Sequence, residues 1–322
     1  YGYGKGSPIP EGAPQVCGSR IPPQKIVCVG TGLLERRNGM YQAGLVLEGG
    51  GMRGMFTCGV LDFFMEKGIV FQNCYGVSAG ACHMCSYLSG QKRRAYHVAV
   101  DYLQCRDYCS ARSLLLTGNL FHTDFCYELI PKWLNPYDFE AFQRYPGKAY
   151  AVVTNIASGR PEYLRLRDME KDITAIRASS SLPLVSRNVK IGKKRYLDGA
   201  ISDAIPVRKA VLDGNRKNVV ILTREKGYKK EQSKALGWIR LAYLRYPKVY
   251  ELMKNRHISY NHTLDYLEEQ EQKGTAFVFR PNGTVKIERI EKDKEKLTAL
   301  YREGWLAAEA NYEALLAWLS GG

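Results

Sequence analysis

Short apolar runs alternate with longer stretches of helical periodicity along most of this sequence. Residues 43–47 form an apolar run bounded by glycine, and residues 55–67 carry apolar side chains at helical spacing before Gly68, a typical helix end. Further strands are predicted at residues 70–75, 149–154, 162–166, 195–197, 219–223 and 276–279. Further helices are predicted at residues 79–88 and 93–105, and one or two more at 292–319. Strands that alternate with helices predict an α/β fold with three layers, α/β/α, and a mainly parallel central sheet.

The first part of the chain departs from this pattern. Residues 1–40 contain five prolines and several glycines, and they are predicted to be an irregular N-terminal segment. Neither a repeat nor a linker follows, so residues 41–322 are predicted to form one domain, with a basic helical region near 225–272. Residues 118–145 are rich in aromatic side chains. Two interpretations of this segment stay open: a lid or pocket wall, or a separate cluster of core residues.

The charge of the chain is strongly positive and unevenly distributed. The 322 residues carry a net charge of +15, and 45% of them are hydrophobic, an ordinary share for a globular protein. Between residues 208 and 256, fourteen Lys or Arg outnumber four Asp or Glu. Such a surface attracts anionic partners, either lipid headgroups or nucleic acid. A solvated basic face without a specific partner is the alternative.

Targeting signals and cysteine content indicate the compartment. The sequence has no long apolar run, and residues 1–24 lack the apolar stretch of a secretory signal, so we expect neither a membrane span nor export. The nine cysteines, an odd number in a long chain, indicate a reducing compartment. We therefore expect a cytoplasmic protein, with peripheral contact at the inner membrane face left open. Cys82 with Cys85 and Cys105 with Cys109 have a spacing found in zinc sites, but packing is favoured, and we expect no metal or cofactor.

The first motif that carries chemistry lies at residues 76–80, where Ser78 stands between Gly76 and Gly80 in the pattern G-x-S-x-G. It follows a predicted strand and precedes a predicted helix, which is the context of a nucleophile elbow. In such a turn the serine is exposed, and small flanking residues let the backbone close. The helix that begins at Ala79 would direct N–H groups at a developing oxyanion. A tight turn with an idle serine is the alternative.

A glycine-rich loop follows the first predicted strand and reads Gly49-Gly50-Gly51-Met52-Arg53-Gly54. It also fits the G-x-G-x-x-G pattern of dinucleotide sites, but such a site needs an acidic residue after the next strand, and residues 70–74 contain none. As an oxyanion hole, the loop would offer the N–H groups of Gly50 and Gly51, with Gly49 and Arg53 beside them. A contact with a phosphate headgroup or a structural salt bridge is a further role for Arg53.

Asp198 offers a carboxylate near the end of a strand. It follows the predicted strand at 195–197 and precedes Gly199, so its side chain could reach a site built by other strand ends, although a turn aspartate is the simpler role. The chain has five histidines, and a triad in the order Ser, Asp, His would need His257 or His262. Both lie in a polar, basic helical region and resemble surface residues. A Ser–Asp pair without histidine is therefore favoured.

Taken together, these motifs resemble the patatin-like phospholipase family, whose signatures are G-G-G-x-R/K-G, G-x-S-x-G and D-G-G/A. Asp198-Gly199-Ala200 matches the third, and residues 178–183 resemble the family's segment between elbow and aspartate. The resemblance covers residues 43–223 and is closest to bacterial members. It implies a patatin-like α/β/α fold without a metal, Ser78 as nucleophile, Asp198 as proton acceptor and the glycine loop as oxyanion hole. It further implies a serine acyl hydrolase of the phospholipase A or lysophospholipase type, which cleaves lipid carboxylic esters through an acyl-enzyme.

The resemblance suggests a role for the basic region. Residues 234–246 place Trp238 and Leu241 at helical spacing among basic side chains such as Arg245, a pattern typical of a helix that lies on an anionic membrane. Packing in the core is the alternative. The expected partners are a lipid ester substrate and an anionic membrane surface, and nucleic acid is not expected. A catalytically weak lipid- or nucleic-acid-binding protein that uses the basic face is the alternative function, and headgroup, acyl length and oligomeric state are left open.

Overall fold

The computed structural model describes residues 39–321, so almost all of the predicted irregular segment lies outside the described residues. Within this part, one sheet contains eight strands. They are β1 Met40–Leu47, β2 Val70–Val77, β3 Lys148–Asn155, β4 Pro161–Leu166, β5 Val189–Ile191, β6 Lys194–Asp198, β7 Asn218–Ile221 and β8 Ala276–Phe279. Strands β3, β2, β1, β7 and β8 are parallel and adjacent in that order, whereas β4 and β6 pair antiparallel with β3, and β5 with β6. The predicted mainly parallel sheet is confirmed.

Helices connect most of the strands. They are α1 Met55–Lys67, α2 Ala79–Leu88, α3 Arg94–Asp101, α4 Ala111–Thr117, α5 Phe139–Gln143, α6 Met169–Ser179, α7 Val207–Leu212, α8 Leu236–Ala242, α9 Pro247–Gln272, α10 Lys294–Ala310 and α11 Tyr312–Ser320. A wider π-helical segment spans Phe125–Leu134, and short 3-10 turns occupy Gly51–Gly54 and Gly199–Ile201. Within residues 39–321, every helix is too short or too polar to cross a lipid bilayer.

The three layers follow from the alternation of side chains along the strands. Leu45 and Leu47 of β1 point to one face of the sheet and pack in a core that includes α1, α2 and α10. Val46, between them, points to the other face and packs with Val207 of α7 and Tyr260 of α9. Because successive side chains of a strand alternate between faces, the buried apolar part of β1, residues 43–47, requires helices on both sides. The α/β/α prediction is therefore confirmed.

Several elements differ from the sequence-based prediction: β1, predicted for 43–47, begins at Met40, and β7, predicted for 219–223, ends at Ile221. The helix predicted for 93–105 ends at Asp101, and residues 189–191 form β5, which was not predicted. The aromatic-rich segment 118–145 supplies part of a pocket wall, because Phe121 lines the cavity described below. Phe125 and Phe142 are buried in the main core rather than in a separate cluster.

Candidate active site

Ser78 occupies a strained turn between β2 and α2. Its φ of 54° and ψ of −123° lie in a region that a residue with a side chain rarely adopts. Its N–H donates to the Ser179 hydroxyl oxygen at 2.9 Å, and that hydroxyl donates to the Val152 carbonyl at 2.7 Å. The end of α6 thus ties the turn to the neighbouring strand β3. Residues 76–80 form the strand-to-helix turn that the motif predicts.

Both flanking glycines of this turn are required for packing. A Cβ atom on Gly76 would lie 2.6 Å from the Cα atom of Ala81, and one on Gly80 would lie 2.7 Å from the Leu47 carbonyl oxygen. Both contacts are with backbone, which cannot move aside as a flexible side chain can. The small residues on either side of Ser78 therefore let β1, β2 and α2 pack closely enough to form the turn.

The pairing of strands β2 and β6 with β3 brings Asp198 close to Ser78. Strand β2 pairs with β3 up to Val77, which lies opposite Val152, and β6 approaches from the other direction with Asp198 opposite Val153. Strand β4 occupies the other edge of β3 along both of these positions, so β2 and β6 meet end to end on a single edge. Neighbouring residues of a strand are about 3.3 Å apart. The chain therefore places Ser78 beside Asp198.

The Asp198 carboxyl group is fully buried and only partly hydrogen-bonded. Its relative exposure is 0%, its Oδ1 accepts the Ala200 N–H at 2.8 Å, and its Oδ2 has no partner in the described part of the chain. Burial raises the pKa of Asp198, against opposing effects from the Ala200 N–H, the Ser78 hydroxyl and the charges of Arg256 and Arg289. Oδ2 is thus the oxygen left to take a proton, and a raised pKa makes it a stronger base than an ordinary aspartate.

The glycine-rich loop lies against the elbow. A Cβ atom on Gly49 would lie 2.9 Å from the Cβ atom of Ser78, and Gly51 lines the same cavity as Ser78. Gly50 faces the Thr223 side chain. The Met52 N–H donates to the Arg289 carbonyl at 3.1 Å. The structure therefore brings the three predicted glycines to the Ser78 side of the sheet.

A buried glutamate that the sequence analysis did not identify holds this loop in place. Glu48, only 3% exposed, immediately precedes the glycines. Its Oε2 accepts the Thr223 N–H at 2.6 Å and the Thr223 hydroxyl at 2.9 Å, and its Oε1 accepts the Tyr260 hydroxyl at 2.6 Å. One carboxylate therefore joins the ends of β1 and β7 to helix α9. A charged residue at the end of an otherwise apolar strand was the available signal.

Arg53 shares the short turn of Gly51–Gly54 but does not line the Ser78 cavity. It is half-buried, and its Nε atom is buried without a partner in the described part. Burial first, and then the charges of Arg224 and Arg289, lower the pKa of Arg53 to about 10 against the effect of Glu48. Its surroundings are therefore mostly cationic.

An apolar cavity of about 250 Å³ opens at Ser78. Most of its wall comes from α3, the aromatic-rich segment, α6 and the loop after α6. The apolar lining includes Met55, Val98, Leu120, Phe121, Tyr127, Ile130, Phe139, Ile173, Leu182 and Val185. A cavity of this character suits a hydrocarbon chain better than a sugar or a nucleotide.

In the described part of the chain, no triad joins His83, His257 or His262 to Ser78 and Asp198. His257 lines a second cavity, His262 is exposed, and His83 lines the Ser78 cavity. No hydrogen bond in the described part joins any of the three to Ser78 or Asp198. Burial lowers the pKa of His83 to about 4, so its imidazole is neutral at pH 7. The sequence analysis did not consider His83.

The cysteine pair of α2 makes contacts typical of packing. Cys82 Sγ lies 3.5 Å from the Ser180 hydroxyl, and the Cys85 thiol donates to the Ala81 carbonyl at 3.2 Å. Burial raises the pKa of both thiols, which disfavours the thiolate form that binds metals. Within residues 39–321, no group of three or more His, Cys, Asp or Glu side chains has the arrangement of a metal site.

Comparison with known proteins shows two matched regions. A family model described as Patatin-like phospholipase matches residues 45–211, and a model described as Domain of unknown function (DUF6363) matches residues 246–320. The Uncharacterized protein YjjU of Escherichia coli (strain K12) is 35% identical over 184 residues, 56% of this chain and 51% of that protein. The chain thus spans about half the length of this relative. The crystal structure of VipD from Legionella pneumophila aligns over 84% of this chain and 67% of its own, with 11% identity and a TM-score of 0.44.

Proposed function

Because the chain belongs to the patatin-like phospholipase family, we propose that it hydrolyses carboxylic esters of lipids, with Ser78 as the nucleophile and Asp198 as the proton acceptor. One observation carries the proposal. The strained Ser78 turn and the unpartnered Oδ2 of the buried Asp198 meet on one edge of β3, beside an apolar cavity. Strain at Ser78 and an unsatisfied buried oxygen are both unfavourable for folding, so their coincidence points to catalysis.

The proposed acylation step uses both side chains. The Ser78 Oγ atom attacks the ester carbonyl carbon while its proton passes to Asp198 Oδ2. The tetrahedral intermediate then breaks the bond between the carbonyl carbon and the alcohol oxygen. The alcohol leaves with the proton that Asp198 held, and the acyl group stays on Ser78. Because burial raises the pKa of Asp198, this carboxylate can accept a proton in the transition state more readily than an exposed one.

Deacylation reverses the roles of the groups. Asp198 takes a proton from a water molecule, whose oxygen attacks the acyl carbon. The bond to Ser78 Oγ breaks, Ser78 regains the proton from Asp198, and a fatty acid is released. Neither step needs an imidazole. The neutral His83 in the cavity wall is therefore assigned to packing.

In this proposal, the loop of Gly49, Gly50 and Gly51 stabilises the negative charge of both tetrahedral intermediates. The Met52 N–H already donates to the Arg289 carbonyl. The Gly50 and Gly51 N–H groups, with that of Ala79 at the start of α2, are therefore our candidates to donate hydrogen bonds to the oxyanion. Loss of one such donor typically costs about 3 kcal/mol of transition-state stabilisation. Arg53 does not line the Ser78 cavity, so we assign it no contact with the oxyanion.

The direct test compares the wild type with Ser78→Ala and Asp198→Asn on a p-nitrophenyl ester and a lysophospholipid. We expect each substitution to lower kcat by at least about 10³-fold, and a fluorophosphonate probe to label Ser78 in the wild type. Peptide mapping identifies the labelled residue. Equal rates in all three proteins would exclude the mechanism and favour a lipid-binding protein without catalysis.

Helix α8 is our candidate for contact with the membrane that holds the substrate. Trp238, Leu241 and Leu244 are exposed by 71%, 63% and 69%, and Arg240 and Arg245 are exposed beside them. The other face of the helix is buried, because Ile239 and Tyr243 pack against α9. Exposed apolar side chains with basic neighbours are characteristic of helices that lie in the surface of an anionic bilayer.

A further inference from the structure

A second cavity, of about 370 Å³, lies next to the Ser78 cavity. Arg289 lines both cavities, so they share a wall. The lining of the second cavity is mostly polar and basic: Tyr228, Lys229, Lys230, Glu231, Ser233, Met253, Arg256, His257 and Arg289. Its one acidic member, Glu231, is exposed to solvent. Three different segments of the chain supply this concentration of positive charge.

Most cations at or beside this cavity are not neutralised by carboxylates, although Lys229 of its lining pairs with Asp265. Within residues 39–321, Arg53, Lys230, Arg256 and Arg289 form no ion pair with an acidic side chain. Glu48 is near enough to affect three of them. Its oxygens, however, already accept hydrogen bonds from Thr223 and Tyr260. Other surface lysines of this chain, by contrast, pair with acidic neighbours.

The mutual repulsion of these cations contributes to the lowered pKa values of Lys230 and Arg256. Burial first, and then the charges of Arg256, Arg289 and Arg53, lower the pKa of Lys230 to about 7 against the effect of Glu48. The pKa of Arg256 is lowered by burial and then by Arg289. The buried Nδ1 of His257 also has no partner in the described part. Cations held close together repel one another, and a buried polar nitrogen without a partner is unfavourable. A bound anion would reduce the repulsion and supply a hydrogen-bond partner.

The cavity adjoins the reacting groups. The Arg256 Nε–H donates at 2.6 Å to the carbonyl of Ala200, two residues after Asp198. Arg256 and Arg289 are both near enough to lower the pKa of Asp198, and Gly51 of the loop packs on Arg289. A ligand whose ester carbonyl meets Ser78 can therefore extend in two directions: an apolar part into the first cavity and an anionic part toward the second.

We propose that the cavity lined by Lys230, Arg256 and Arg289 binds the terminal phosphate of the lipid ester, so that the substrates are acyl glycerol phosphates with a phosphomonoester headgroup. This inference rests on the proposed function. A phosphomonoester offers oxygens that accept from several Lys and Arg groups at once, whereas a choline headgroup would bring a cation into a cationic cavity. Arg256 and Arg289 belong to the region matched as a domain of unknown function, residues 246–320. That region would thus select the headgroup.

The test compares hydrolysis of oleoyl glycerol phosphate, monooleoyl glycerol and oleoyl glycerophosphocholine. We expect wild-type kcat/KM to favour the phosphomonoester, and Lys230→Gln and Arg289→Gln each to reduce that preference about tenfold, mainly through KM. The matched control is Lys254→Gln, because Lys254 is exposed on the same helix as Arg256 but does not line the cavity. An unchanged preference in both variants would overturn the inference.

A binding measurement separates this inference from the proposed function. Calorimetry with the Ser78→Ala protein should show tighter binding of oleoyl glycerol phosphate than of monooleoyl glycerol, and inorganic phosphate should compete only with the former. If no ester is hydrolysed but this difference persists, the proposed hydrolase fails and the phosphate site stands. If hydrolysis occurs but the two lipids bind equally, the phosphate site fails. Inorganic phosphate that binds without affecting the lipid would also contradict it, since the cavity would then serve free phosphate.

Discussion

Gly59 and Gly304 lie where helices α1 and α10 cross, and neither position has room for a side chain. A Cβ atom on Gly59 would lie 2.0 Å from the Tyr301 carbonyl oxygen, and one on Gly304 would lie 2.0 Å from the Phe56 carbonyl oxygen. Backbone therefore packs directly on backbone at this crossing. Because α1 belongs to the patatin-like region and α10 to the second matched region, the two matched regions are joined in one core.

We predict that Gly304→Ala destabilises the protein by about 3 kcal/mol, because an added methyl group must push the two helix backbones apart. The free energy of unfolding in urea measures this effect. The loss occurs although alanine favours an isolated helix over glycine by about 1 kcal/mol.

Gly237→Ala is the matched control on helix α8. Nothing lies within 4 Å of a Cβ atom placed at this position, so the same substitution should be neutral or stabilising by about 0.5–1 kcal/mol. Equal effects at the two glycines would show that helix propensity, rather than the crossing, decides the outcome.

Local signals predicted individual elements well. Helices α1 and α2 and strand β8 begin and end at the predicted residues, because their boundaries depend on nearby glycines and on the strained turn at Ser78. Gly68, for example, has a φ of 66° and its N–H caps the Met65 carbonyl. Such a turn is encoded within a few residues, so the sequence alone reveals it.

Arrangements that join distant segments could not be predicted in the same way. The meeting of β2 and β6 on one edge of β3 depends on strand pairing, which no local motif encodes. Likewise, Lys230 and Arg256 were predicted only as parts of a basic region and Arg289 was not singled out, since their convergence on one cavity requires the fold. The burial of His83 is also invisible locally, because a histidine on a small-residue helix carries no sign of its depth.

Ser179→Ala is predicted to impair both folding and catalysis. The substitution leaves the buried Ser78 N–H without its acceptor, which costs about 1–3 kcal/mol, and it frees the strained turn to relax. We expect kcat for a p-nitrophenyl ester to fall at least about tenfold with a smaller change in KM. Urea unfolding and steady-state kinetics measure the two effects.

Ser181→Ala is the control for that substitution. The Ser181 hydroxyl donates to the Arg177 carbonyl, and the Ser78 N–H donates to Ser179 instead. Its removal should change kcat little. Wild-type kcat in Ser179→Ala would show that the turn holds Ser78 without this hydrogen bond.

His83 is predicted to make stability depend on pH in the acid range. Its pKa is about 4 in the folded protein and about 6.5 in an unfolded chain. Between these values the unfolded chain binds a proton that the folded protein does not, so stability is lost as the pH falls from 6.5 toward 4. This contribution amounts to roughly 3 kcal/mol across the range.

Urea unfolding at several pH values tests this prediction. His83→Gln should lose less stability than the wild type between pH 7 and 5, whatever its stability at pH 7. His262→Gln, at an exposed position, controls for the removal of an imidazole as such. If the free energy of unfolding falls equally with pH in the wild type and in His83→Gln, the assignment of a buried neutral histidine is contradicted.

Helix α8 is predicted to attach the protein to anionic membranes through Trp238 and Leu241. Transfer of two exposed apolar side chains into a bilayer interface contributes about 2–3 kcal/mol, so Trp238→Ser with Leu241→Ser should weaken vesicle binding at least about tenfold. Sedimentation with vesicles of phosphatidylglycerol and phosphatidylcholine measures the effect. The wild type should bind less to vesicles of phosphatidylcholine alone, and less in high salt, because Arg240 and Arg245 contribute electrostatic attraction that salt screens.

Trp133→Ser supplies a matched control for this surface. Trp133 is 52% exposed but lies on the π-helical segment rather than on α8, so its loss should leave vesicle binding unchanged. Because Ile239 and Tyr243 anchor the buried face of α8, the double variant should unfold at the wild-type urea concentration. Undiminished binding by that folded variant would show that the basic surface binds lipid without insertion of this helix.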